Sequence, residues 1–133
     1  MKLRIKGNSL RFRLTKSEVA DLLIKGRVED TVVYGSTADA RLTYAVQQSA
    51  TAEAITSHST PQTVSVLIPV ADVRRWVEGE SVGIYGSLDT GAGLLALLVE
   101  KDFACLDRSD VDNADTFPNP LAAAMCRTVP EAE

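Results

Sequence analysis

With one histidine and two cysteines in 133 residues, the chain has little with which to hold a transition metal. His58 alone cannot build a zinc site, and it reads as a surface residue in a turn-like setting. Cys105 and Cys126 lie about twenty residues apart without a Cys-x-x-Cys pattern, and they read as free cytosolic thiols. Cys105 has acids at 102 and 107 and no base close in sequence, a poor setting for a nucleophilic thiolate. No apolar run approaches the roughly 18 residues of a membrane span. Met-Lys-Leu-Arg-Ile-Lys-Gly at the start carries positive charge with no apolar stretch behind it, unlike a secretory signal. The expectation is a cytoplasmic protein with no membrane partner. A formal charge of −4 is the wrong sign for a chain coated in base for nucleic acid.

Charge is nevertheless segregated. Residues 1–16 hold Lys2, Arg4, Lys6, Arg11, Arg13 and Lys16 and no acid, whereas residues 101–133 hold seven acids against three bases. Such asymmetry points to a functional surface or to two segments that meet in the fold.

The strongest pattern is a repeat. About 54 residues apart and without a gap, Phe12 falls on Val66, Leu14 on Ile68, Val19 on Val73, Leu22 on Trp76, Leu23 on Val77 and Val28 on Val82. After a slip of about three residues, Glu29 to Ser36 lies beside Glu80 to Ser87, with a shared Tyr-Gly-Ser ending. Two copies of a small unit close a pseudo-symmetric core.

Local signals give each copy the same order. Leu3 and Ile5 alternate with Lys2, Arg4 and Lys6, Gly7-Asn8 turns, and Leu10, Phe12 and Leu14 alternate with Arg11 and Arg13: two strands and a hairpin. Thr15 with Glu18 forms a capping box; Val19, Leu22 and Leu23 make a helical face, and Gly26 ends it. Strands follow near 28–34 and 41–47. The second copy predicts strands near 52–58 and 63–68, a helix opened by Pro69 and buried through Val70, Val73, Trp76 and Val77, then strands near 81–87 and 94–100. Leu94 to Val99, apolar on both faces, reads as a central strand covered on both sides. The expected fold is α+β: a duplicated strand-strand-helix-strand-strand unit forming one curved antiparallel sheet or barrel, two helices, and a Pro-rich tail. One domain spans 1–133, with repeats 2–48 and 51–100 and an extension 101–133.

Arg4 to Leu14, Glu100 to Leu106 and Phe117-Pro118-Asn119-Pro120 together resemble a family of small bacterial proteins without assigned activity, which implies a bacterial origin. The duplicated unit is similar to the triphosphate-tunnel (CYTH) class, whose barrel holds polyphosphate. That class opens with Glu-x-Glu-x-Lys, and here Lys2-x-Arg4-x-Lys6 lacks the metal-holding acids. Ile68-Pro69-Val70-Ala71-Asp72-Val73-Arg74-Arg75 resembles the strand-to-helix junction of swapped-hairpin transition-state regulators, which implies DNA binding. Ser57-His58-Ser59-Thr60 lacks the bases those regulators carry in both copies.

The basic N-terminal strands are the best functional lead. Lys2, Arg4 and Lys6 share a face, with Arg11 and Arg13 on the next strand. On a solvated face, their repulsion discourages edge pairing. Inside a barrel, they need acids or an anionic ligand, with Glu100 and Asp102 as internal partners. Asp107, Asp110, Asp112 and Asp115 read as a solvated loop, because Ala114 and the absence of a following glycine break a calcium-loop pattern. Phe117 reads as a plug for an apolar gap beneath a stiff strap. The function expected first is a non-catalytic binding protein for a small phosphate-bearing anion, with no cofactor. Alternatives are a swapped-hairpin nucleic-acid regulator and a metal-dependent phosphohydrolase using Glu100, Asp102 and the Asp-rich loop.

Overall fold

A computed structural model describes residues 1–103 and 115–117. Elements follow in the order β1 (Lys2–Ile5), β2 (Ser9–Leu14), α1 (Lys16–Lys25), β3 (Arg27–Val33), β4 (Arg41–Ser49), β5 (Thr56–Thr60), β6 (Thr63–Pro69), α2 (Val70–Glu78), β7 (Gly83–Asp89) and β8 (Leu94–Lys101). The strand-strand-helix-strand-strand order therefore occurs twice. The expectation of one largely antiparallel sheet or barrel is corrected. Two separate four-stranded sheets form, in the orders β1-β2-β8-β7 and β3-β4-β6-β5. Each sheet takes one hairpin from each half of the chain, and the hairpins meet through parallel pairs, β2 with β8 and β4 with β6. Among the described residues, strands β1, β7, β3 and β5 remain as edges, so the closed barrel implied by the triphosphate-tunnel resemblance does not form.

The sheets turn their apolar faces toward a common core. Leu10, Phe12, Leu14, Leu97 and Val99 come from the first sheet, and Val46, Val66 and Ile68 from the second. Val19 and Leu22 of α1 and Val73 and Trp76 of α2 complete it. Each fully buried aliphatic or aromatic side chain contributes about 1.5–3 kcal/mol relative to exposure. The Trp76 indole donates to the Val82 carbonyl at 3.1 Å, which satisfies its one polar atom. Ile55, in the link between β4 and β5, lies so close over Gly86 of β7 that a Cβ there would collide with its Cγ2, so glycine lets the second sheet's connection press on the first.

The predicted capping box on α1 is present: Thr15 N–H donates to Glu18 Oε1 at 2.9 Å, and Glu18 N–H donates to Thr15 Oγ1 at 3.4 Å. Gly26 closes the helix at φ 84°, a conformation glycine adopts without steric cost. Pro69 opens α2 with no side-chain cap.

Both helices are tied off at the same place. Val46 pairs with Val66 as Val99 pairs with Phe12, which makes Gln48 the counterpart of Lys101. Gln48 Nε2 donates to the carbonyls of Leu22 and Leu23 at 2.6 and 3.0 Å, at the end of α1. Lys101 Nζ donates to the Gly79 carbonyl at 3.0 Å, at the end of α2. Burial of Lys101 lowers its pKa, yet an ammonium there suits the negative pole of a helix C-terminus.

Other expectations shift in register. Strand β5 runs 56–60 rather than 52–58, because Thr60 pairs directly with Thr63 and Pro61-Gln62 form a two-residue turn. Strand β7 runs 83–89, not 81–87. The Tyr-Gly-Ser match fails: Val28 pairs with Val46 as Ile84 pairs with Val99, so the true offset there is 56 residues, not 51. Tyr34 lies past the end of β3 while Tyr85 sits within β7. Strand β8 is central, as expected, but covered by the core on one face only; Leu94 on the other is exposed.

Gln48→Leu and Lys101→Met should each lower unfolding free energy by about 1–2 kcal/mol, because each leaves helix-end carbonyls without their donor. The two losses should add in the double variant, since the ties serve different helices. Urea denaturation measures all three; unchanged midpoints would show that the ties contribute nothing.

Candidate functional site

Because β2 alternates, the register that buries Leu10, Phe12 and Leu14 must turn Arg11 and Arg13 outward. Antiparallel pairing sets Lys2 opposite Arg13 and Arg4 opposite Arg11. Parallel pairing sets Arg13 beside Glu100 and Arg11 beside Leu98. Strand β7 completes the two rows with Gly83 next to Glu100 and Tyr85 next to Leu98. Lys2, Arg13, Glu100 and Gly83 thus form one row, and Arg4, Arg11, Leu98 and Tyr85 the next. This face points away from the core. Lys2 is 61% exposed along its side chain and Arg11 29%, so of the two expected placements these bases take the outer one and not the barrel interior.

Glu100 is the acid at the centre of the block. Its Oε1 lies 3.3 Å from Arg11 Nε and 3.9 Å from Arg13 Nε, and its Oε2 accepts from the Tyr85 hydroxyl at 2.9 Å. Asp102, buried just beyond β8, places Oδ2 3.6 Å from Lys2 Nζ. The structure therefore brings together Lys2, Arg4, Arg11, Arg13, Glu100 and Asp102. Lys6 is the exception. It lies past the end of β1 in the hairpin turn, where its carbonyl accepts from Ser9 Oγ at 2.6 Å.

Tyr85 is the residue that sequence reasoning missed, having treated it only as part of the shared Tyr-Gly-Ser ending. Its signal was the parity of β7: if Ile84 and Leu88 face the core, Tyr85 must face out. Its phenol leans back along the strand over Gly83, where an added Cβ would lie 3.0 Å from the hydroxyl. Burial, then the hydrogen bond to Glu100 and the charge of that carboxylate, push its pKa up to about 12, while Arg11 pulls the other way.

The second sheet has no such block. Its equivalent positions carry Thr56, Leu67, Gln47 and Arg27 in one row and His58, Ser65, Ala45 and Glu29 in the next. Arg27 and Glu29 pair with each other at 2.7 Å where the first sheet has Gly83 and Tyr85. His58 is exposed, as expected.

At the tail, Asp115 caps α1. Its backbone carbonyl accepts from Lys16 N–H at 3.0 Å, and its carboxylate from Ser17 N–H at 3.1 Å and from the Ser17 hydroxyl. These bonds lower its pKa, led by the one from the Ser17 hydroxyl. Phe117 packs against Phe103 at 6.0 Å with Lys101 Nζ 5.4 Å from its ring centroid, and it borders the core as the plug reading expected. Cys105, Cys126, Asp107, Asp110, Asp112 and Pro118-Asn119-Pro120 lie outside the described residues. Among the described residues, no three of His, Cys, Asp and Glu gather to hold a metal, and no helix is long and apolar enough to cross a membrane. A shallow cavity of about 230 Å³ opens between α2 and β7, lined by Asp72, Arg75, Trp76, Ser81, Gly83 and Ile84.

A raised phenol pKa contributes stability below the ordinary value of 10, and that contribution is lost as pH climbs through about 12. Ultraviolet titration should show a tyrosine ionising near 12, and Tyr85→Phe should remove that component. A wild-type titration complete by pH 11 would contradict the partly buried, Glu100-bonded setting of Tyr85.

No curated protein and no solved structure matches the chain. A family model does, over residues 1–121, a span that takes in both sheets, both helices and the basic block. The chain belongs to the family of unknown function DUF7009.

Proposed function

We propose that the protein is a non-catalytic binding module that takes a small phosphate-bearing anion on the outer face of its first sheet. One observation carries this reading: the two-by-two block of Lys2, Arg4, Arg11 and Arg13, in which cations stand directly opposite cations. Like charges placed so cost about 0.2–1 kcal/mol per pair. Among the described residues the block holds four cations and two carboxylates, Glu100 and Asp102. A multivalent anion between Arg11 and Arg4 offsets the repulsion and gains charge-assisted hydrogen bonds, for which the planar guanidinium fork suits phosphate oxygens. Glu100, engaged by a phenol and near two guanidinium groups, serves to hold Arg11 and Arg13 in place on this face.

Thermal denaturation at low ionic strength with inorganic phosphate, tripolyphosphate or a nucleoside triphosphate tests this. At a hundredfold excess over Kd, a ligand adds about 2.7 kcal/mol of stability, a melting shift of several degrees. The double variant Arg11→Gln, Arg13→Gln should abolish the shift, and added salt should reduce it. Unchanged melting with all three anions would refute the reading.

A further inference from the structure

We propose that the ligand of this face carries an aromatic base as well as a phosphate: a nucleotide unit, with its base stacked on Tyr85 and its phosphate at Arg11 and Arg4. The inference rests on the anion-binding reading above and deepens it. Tyr85 is 52% exposed, yet its ring is not free to swing. The hydroxyl is fastened to Glu100 Oε2 at 2.9 Å, and the ring leans over the one position in its row-pair that has no side chain, Gly83. No larger residue fits there, because a Cβ on Gly83 would also approach the Val99 carbonyl to 2.5 Å and Glu100 Cγ to 2.9 Å. An aromatic ring pinned at its tip and open to solvent is pre-ordered for stacking, and base-on-aromatic stacking tolerates any base.

The row places the remaining parts. Tyr85, Leu98 and Arg11 are neighbours on β7, β8 and β2, so their backbones stand two strand spacings apart, roughly 9.5 Å, with Arg4 one strand further. The Tyr85 hydroxyl and Arg11 Nε lean toward each other onto the two oxygens of Glu100, at 2.9 and 3.3 Å. Leu98 between them offers an apolar floor for the sugar. The other half of the chain shows that the fold does not require this arrangement. At the same positions it carries the Arg27–Glu29 ion pair in place of the glycine and tyrosine, and Ala45, Ser65 and His58 in place of Leu98, Arg11 and Arg4.

Competition binding on the full chain tests the assignment, using tripolyphosphate, a nucleoside triphosphate, and short single-stranded DNA and RNA oligonucleotides. The nucleoside triphosphate should bind more tightly than tripolyphosphate. Tyr85→Ala should weaken the base-bearing ligands roughly 5- to 100-fold and leave tripolyphosphate unchanged. Tyr85→Phe, which keeps the ring, should retain most of the affinity. Tighter binding of oligonucleotides than of the free nucleotide assigns the unit to a single strand, and the reverse assigns it to a soluble nucleotide; either supports the proposal. Equal affinity for tripolyphosphate and nucleoside triphosphate in the wild-type chain, with Tyr85→Ala affecting neither, would overturn it while leaving the anion site standing. Binding of none of these anions would overturn both. The wild-type comparison decides the matter even should Tyr85→Ala fail to fold.

Discussion

Strand β2 lies parallel to β8 in a single register, and two otherwise separate properties hang on that alignment. It sets Phe12 beside Val99 and Leu10 beside Leu97 on the core side, and Arg13 beside Glu100 on the solvent side. A slip of one residue would turn every one of these side chains to the wrong face. Buried charge would then stand where the largest apolar side chains now pack, at a cost no surface ion pair could offset. The basic face is thus fixed by the demands of the core behind it. Its geometry is held by hydrophobic packing and not by the ion pairs it displays.

The duplication supplied a scaffold and left its two outer faces free to diverge. Inside, the copies remain alike: Leu14 and Ile68, Val19 and Val73, Leu22 and Trp76 are all buried in matching places. Gln48 and Lys101 serve the same helix-end role with different chemistry, amide in one copy and ammonium in the other. Outside, one face became cationic with an anchored phenol, while the other carries a row of threonines across all four strands, Thr31, Thr43, Thr63 and Thr60. Thr31 and Thr43 join through their hydroxyls at 2.8 Å.

Most of the local structure was legible because it is written in short-range signals. The capping box at Thr15 and Glu18, the stop at Gly26 and the period-two alternation of residues 9–14 each act within a few residues. What was not legible is what depends on long-range pairing. No local signal says that β2 will lie beside β8 rather than close onto its own half, and so one sheet was expected where two form. The Tyr-Gly-Ser identity misled for a related reason. A strand's partner sets its register, and an offset wrong by five residues, an odd number, also inverts the face. That error hid Tyr85. Alternation alone put Lys2 and Arg4 on one face, with Arg11 and Arg13 on the next strand. It did not say which way that face points, and Glu100 was expected as a partner only inside a barrel. Lys6 was misassigned because alternation does not announce where a strand ends.

The exchange of hairpins has a consequence for how the chain is made. The second sheet draws on residues 27–69 and can assemble once those have been synthesised. The first must wait for residues 94–101, so during synthesis β1 and β2 stand for most of that time without their parallel neighbour. Cations at alternate positions of that waiting hairpin repel identical hairpins on neighbouring nascent chains, and so hold an unfinished edge open for its own late partner.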